Sequence, residues 1–263
     1  MAATLQISLA AEPLFHIGHF TITNSLFMGM VIVLLTIIGV VLARRKKISL
    51  VPRGFYNAAE AFVEFWLDII DQVTSSRRVT LIAFPIVVSF FTYILLSNWI
   101  GLLPGVGSVG LYGVHNGHVA LIPFLRAPSA DLNFTLGLAT LAILSTWVIG
   151  IKELGVAGHL SKFFTLKNPI FTFVGLLEFL GEFARIISFS FRLFGNVFAG
   201  EVLLAVIGFL APMIAALPFM FLEAFVGLVQ ALVFSMLTLV FIKMATEGHG
   251  DHEEQHETKP NHA

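Results

Sequence analysis

The chain reads as an all-α integral membrane protein, with three ordinary transmembrane helices followed by a long, steeply tilted, membrane-embedded helical hairpin. Three observations lead there. Of its 263 residues, 57% are hydrophobic and only 12% charged, about half the ~25% of soluble domains. Uncharged apolar runs long enough to cross hydrocarbon recur along the chain. The last third stays apolar over residues 171–210 while holding five charges: Glu178, Glu182, Arg185, Arg192 and Glu201. No basic tract points to nucleic acid. With no cysteine, disulfides and thiolate metal sites are excluded.

Residues 1–25 form an outer N-terminal segment. Its start, MAATLQISLAAEPLF, has no basic residue ahead of the first apolar run, so a retained first span is expected. Residues 26–168 hold three spans and a connector. Span one is residues 26–43, span two residues 79–103 and span three residues 132–151. Pro85 is tolerated within span two where neighbours satisfy the freed carbonyl, and Pro104, Gly105 and Gly107 end it. The connector 57–73 spaces Glu60, Glu64, Asp68 and Asp71 on one helix face, with Phe62, Trp66, Ile69 and Ile70 largely elsewhere. It is either an amphipathic helix at the cytoplasmic surface or a solvated connector. Residues 104–131, rich in glycine and proline, are expected to be irregular.

Orientation follows from the basic residues. With the N-terminus outside, inner segments hold Arg44, Arg45, Lys46, Lys47, Arg53, Arg77, Arg78, Lys152, Lys162, Lys167, Lys243 and Lys259, and outer segments only Arg126. That bias is the positive-inside pattern.

Residues 169–244 form the hairpin. Pro169 suits a first helical turn, and one helix from there to residue 210 is about 60 Å long at ~1.5 Å per residue. Twice the hydrocarbon thickness, it must tilt or break. Pro212 and Pro218 enclose a turn, and residues 219–242 return. Residues 245–263 are charged and histidine-rich with no apolar period, a disordered tail. His249, His252, His256 and His262 in it are either metal ligands or solvated. His16, His19, His115 and His118 carry no motif.

Arg192 dominates the functional reading. A guanidinium keeps its proton, and a charge at membrane depth costs ~2.5–3.5 kcal/mol even on lenient scales. At ~100° per residue, Glu178, Arg185, Ser188, Gly195, Asn196 and Ala199 fall within about 60° of it. Small residues beside a charge admit a close neighbour, so this stripe is expected to face protein. Glu201 lies on the opposite face and serves a separate polar space. On the return helix, Glu223, Gly227, Gln230 and Phe234 share a face. An antiparallel register about residues 211–212 sets Arg192 opposite Gln230 and Glu201 opposite Glu223. Two carboxylates together perturb each other's protonation, which suits proton relay and has no packing benefit. Glu182 and Arg185 at i, i+3 fit a structural ion pair; alternatively, Arg185 and Glu178 lie near the cytoplasmic interface and snorkel to it.

The string SFSFRLFGNVFAGE (188–201), the proline-marked turn and FLEAFVGLVQALVFSMLTLVF (221–241) resemble subunit a of the F-type ATP synthase. The likeness extends to PSADLNFTLGLA (128–139) and to the order of the spans, and is weak over the first 75 residues. The resemblance implies that Arg192 is the essential stator arginine, flanked by Asn196 and Gln230, and that Glu178, Glu201 and Glu223 line aqueous half-channels. Some members carry histidine where this chain has Glu223, so proton handling in the outer cluster differs in detail. It further implies a bacterial plasma-membrane location and a non-catalytic proton-channel subunit. Its partners would be a rotor ring of c subunits, peripheral-stalk b subunits and lipid, with no cofactor and no nucleic acid. Two competing functions are weighed. A proton-coupled secondary transporter needs a converging pocket within one chain, and a scaffold leaves the buried carboxylates without a role.

Overall fold

The computed structural model describes residues 11–17, 20–44, 54–103, 110–115, 118–123, 125–163, 169–210 and 216–246. Among them, five helices are long and apolar enough to cross a membrane, as expected of an all-α integral membrane protein. Helix α1 (Asn24–Arg44) follows a short hairpin of β1 (Pro13–Ile17) and β2 (Phe20–Thr23). Amphipathic α2 (Phe55–Thr74) leads through Ser75, whose φ of 54° turns the chain, into α3 (Arg77–Gly101). Strands β3 (Gly110–His115) and β4 (His118–Pro123) and a 3-10 turn (Pro128–Ala130) precede α4 (Leu132–Phe163). Helices α5 (Pro169–Leu210) and α6 (Ala216–Thr246) complete the fold.

Hydropathy located the spans because lipid tolerates only backbone satisfied within its own helix. It did not limit the helices to the lipid-soluble stretch. Helix α4 runs past residue 151 to Phe163, interrupted at Gly155 (φ 75°), because polar Lys152 and Glu153 end the apolar run without ending backbone pairing. Two further expectations are corrected. Residues 104–131 contain an antiparallel hairpin with His115 opposite His118. Its strands Gly110–His115 and His118–Pro123 are rich in valine and leucine, which fit a pleat despite the flanking glycines. Pro218 lies in the first turn of α6, where its missing N–H costs nothing, rather than closing a turn. Pro212 and the centre of that turn, the histidines of the tail, and Arg45, Lys46, Lys47, Arg53, Lys167 and Lys259 lie outside the described residues.

The connector is a helix with a purpose. Glu60, Glu64 and Asp68 are exposed while Trp66 and Ile70 are buried, and the Trp66 ring lies 4.9 Å from that of Phe91 on α3. Asp71 pairs with Arg77 across the turn, and the Thr74 and Thr80 hydroxyls hydrogen-bond at 2.7 Å. At the same end Arg78 reaches Glu153 of α4 at 3.2 Å. At the opposite end Asn24 donates to the Pro123 carbonyl at 3.4 Å and accepts from the Glu12 amide.

The last two helices do not rest mainly on each other. Helix α5 packs chiefly along α4, and α6 along α3. The Thr135 and Ser190 hydroxyls meet at 3.0 Å between α4 and α5. Between α3 and α6, Asn98 donates to the Gly227 carbonyl at 3.1 Å and Trp99 to that of Ala224 at 3.0 Å. A Cβ at Gly227 would sit 3.1 Å from that of Asn98, so the glycine permits the approach. Gly227→Leu is accordingly expected to lower the amount of subunit retained in membranes, read by immunoblot against a Gly208→Ala control, a position with open space around it. Wild-type levels for the leucine variant would show that this approach is dispensable.

Candidate functional site

Helix α5 has two faces because its 3.6-residue period separates them. Phe189, Ser190, Leu193 and Val197 are buried; Ala184, Ser188, Arg192, Gly195 and Ala199 are exposed. The small-residue stripe therefore faces outward from this chain, with Arg192 midway along the helix. Among the described residues no carboxylate pairs with Arg192, and no hydrogen bond joins it to Gln230. Large apolar side chains elsewhere on α5, Phe183, Ile187, Phe191 and Leu203 among them, are also more than 40% exposed.

Toward the amino end of α5 lies one polar cluster. Arg185 donates to Glu182 Oε1 at 2.6 Å, and its guanidinium stacks 4.5 Å over the Phe241 ring of α6. The structural ion pair is thus formed, and it draws Arg185 out of the stripe toward α6, which corrects its placement beside Arg192. Glu182 is 7% exposed and Trp147 of α4 faces it; Glu178, one turn earlier, is half-buried.

A second cluster lies toward the other end. The Glu223 carboxylate rests on Gly200, where any Cβ would overlap it. The expected adjacency of Glu201 and Glu223 is therefore formed, within a residue of the expected register. Phe189 packs on Phe234 and Phe241 at 4.9 and 5.6 Å, which agrees with that register. Gln230 is 8% exposed with its Nε2 unpartnered; Glu223 Oε2 and Asn98 Oδ1 are likewise buried without a partner. Asn196 is half-buried. Buried polar atoms are nearly always satisfied, so these three orphaned atoms, two on α6 and one on the facing α3, stand out from the apolar packing around them.

Sequence reasoning missed Arg126, whose Nη2 lies 3.5 Å from Glu201 Oε2. This second cluster is thus two carboxylates with one cation, not two carboxylates alone. It also missed Asn98 and Trp99, and the Ser97–Ser129 hydroxyl pair at 3.0 Å. Arg126 was visible only as the lone basic residue of the outer segments; no periodicity ties it to a residue 75 positions away. Along α5, Arg192 stands seven residues from Arg185 and nine from Glu201, so it separates the clusters by roughly 10 and 14 Å at ~1.5 Å per residue. Chemically, the arrangement offers two carboxylate-bearing clusters and, between them along α5, one outward-facing permanent cation.

Comparison with known proteins gives a family model described as ATP synthase A chain, matching residues 25–243. Among curated relatives, the chain is 32% identical over 224 residues to ATP synthase subunit a of Gloeobacter violaceus, covering 84% of this chain and 83% of the relative. It is 35% identical over 209 residues to subunit a of Desulforamulus reducens, covering 74% and 70%. With that of Moorella thermoacetica it shares 28% over 236 residues, covering 90% and 96%.

Proposed function

The chain belongs to the ATP synthase A chain family, and from that membership we propose that it is the stator subunit of the proton-translocating membrane sector of a rotary ATP synthase. It is a non-catalytic subunit that provides two aqueous half-channels and the arginine that exchanges protons with a rotor ring. One observation carries the reading: Arg192 is exposed on the outward face of α5, and among the described residues no acid pairs with it. The missing carboxylate comes from the ring.

A proton entering by the Glu201/Glu223 cluster neutralises a ring carboxylate, which then turns into lipid without a charge penalty. Near the end of the turn that carboxyl meets Arg192. A permanent cation within ~4–6 Å favours the ionised form, so the proton leaves by the cluster at Glu178. Asn196 and Gln230 flank the exchange point with neutral amides. Arg192 also repels hydronium between the two spaces, which prevents a direct leak. Each proton crossing 100 mV releases ~2.3 kcal/mol, so several drive each ATP. The basic ends of the helices lie in the cytoplasm and the N-terminus outside, in a bacterial plasma membrane, with b subunits of the peripheral stalk as further partners. A self-contained transporter is disfavoured because its arginine would be paired within the chain.

The natural absence of cysteine makes a direct test simple. Single cysteines at Ser188, Gly195 and Ala199 are expected to form disulfides with a cysteine on the outer helix of the ring in the assembled complex. Cysteines at buried Ser190 and Val197 are expected not to. Cross-links confined to the buried positions, or none at all, would reject the ring-facing assignment.

A further inference from the structure

The two outer carboxylates are not equivalent, and Arg126 makes them so. Its side chain is 10% exposed against 30% for that of Glu201. It is presented by a short segment held on several sides. Ala127 and Ala130 are buried with Val197 of α5, one turn before Glu201. Ala127 also lies where a Cβ on Gly101 would approach to 2.7 Å. The Ala130 amide donates to the Ala127 carbonyl at 3.0 Å, and Ser129 meets Ser97. The Asp131 carboxylate accepts from the Asn133 amide at 3.0 Å and so serves the start of α4. Glu223, by contrast, lies on Gly200 with Oε2 buried and unpartnered, and no cation pairs with it among the described residues.

We infer that Arg126 is a positioning residue of the outer proton path: it holds the Glu201 carboxylate as an ion pair at the wall of the path and leaves Glu223 as the group that takes up the incoming proton. The inference rests on the stator reading above. An O–H bond forms on a Glu223 oxygen as a proton leaves outer water. That bond breaks when the proton passes on to a ring carboxylate, restoring the Glu223 anion. Glu201, oriented by Arg126, keeps one fixed negative group beside the transit site and does not exchange.

The test uses the assembled complex in inverted membrane vesicles, with subunit content quantified and ATP-driven acidification measured. Arg126→Gln is expected to slow pumping roughly ten- to hundredfold, the rate equivalent of losing a hydrogen bond to a charged group. Arg126→Lys is expected to restore most of that loss. Arg126→Gln placed on Glu201→Gln is expected to add little, because the partner is already gone. Loss of assembled complex accounting for the whole deficit would overturn the inference in favour of a purely structural tie. So would failure of lysine to rescue, or effects of Arg126→Gln and Glu201→Gln that multiply. Arg192→Ala, run in parallel, separates the levels: if it pumps normally the stator reading fails. If it is inactive while the Arg126 variants behave independently of Glu201, only the positioning role fails.

Discussion

Arg192→Ala is expected to abolish ATP-driven proton pumping while leaving the amount of assembled complex unchanged. The two halves of that result have different causes. Arg192 is exposed and makes no ion pair among the described residues, so its truncation breaks no such pair. Alanine is the best helix former, and substitutions away from packed features usually lie within about 0.5 kcal/mol. Function, however, loses the only permanent cation between the two carboxylate clusters on α5. On the proposed stator mechanism, a ring carboxyl arriving there would keep its proton, and nothing would repel hydronium between the half-channels. Arg192→Lys is expected to fail as well, since a lysine ammonium can shed its proton when desolvated and lacks the planar fork. Acidification of inverted vesicles at matched subunit content reads both variants. Undiminished pumping by the alanine variant would remove Arg192 from the mechanism.

Glu223→Gln is expected to slow proton flux at least tenfold, toward the ~10²–10⁴-fold range of a lost acid–base group. Gly200→Val should do nearly the same from a different helix. Its added side chain would occupy the place of the Glu223 carboxylate, while valine is a better helix former than glycine, so α5 itself is not weakened. The two changes act on one group, and the double variant is expected to be no slower than Glu223→Gln alone. Gly208→Ala, on the same helix with open space around it, serves as the control. Passive proton conductance of vesicles stripped of the catalytic sector is the direct measurement. Wild-type flux in Gly200→Val would mean that the position of Glu223 on α5 is immaterial.

Much of this was readable in advance because lipid is a demanding solvent. The spans fall where uncharged residues run long enough, and α5 continues unbroken from Pro169 to Leu210 because nothing in between removes an amide hydrogen or needs a left-handed turn. The adjacency of Glu201 and Glu223 was legible too, since an antiparallel register about residues 211–212 sets them opposite, although the sequence left that register open by several residues. The β3–β4 hairpin was not. Its strands are short, and glycine-rich flanks read as loop until pairing partners are known.

Helical periodicity assigned Ser188, Arg192, Gly195 and Ala199 to one face, and the membrane cost of a charge singled Arg192 out; chain order alone decided both. Whether that face turned inward or outward depended on α4 and α6 covering Phe189, Leu193 and Val197 instead. The meeting of Arg126 with Glu201 was equally a matter of packing, because a contact between residues distant in sequence is set by how helices stack and not by any local repeat.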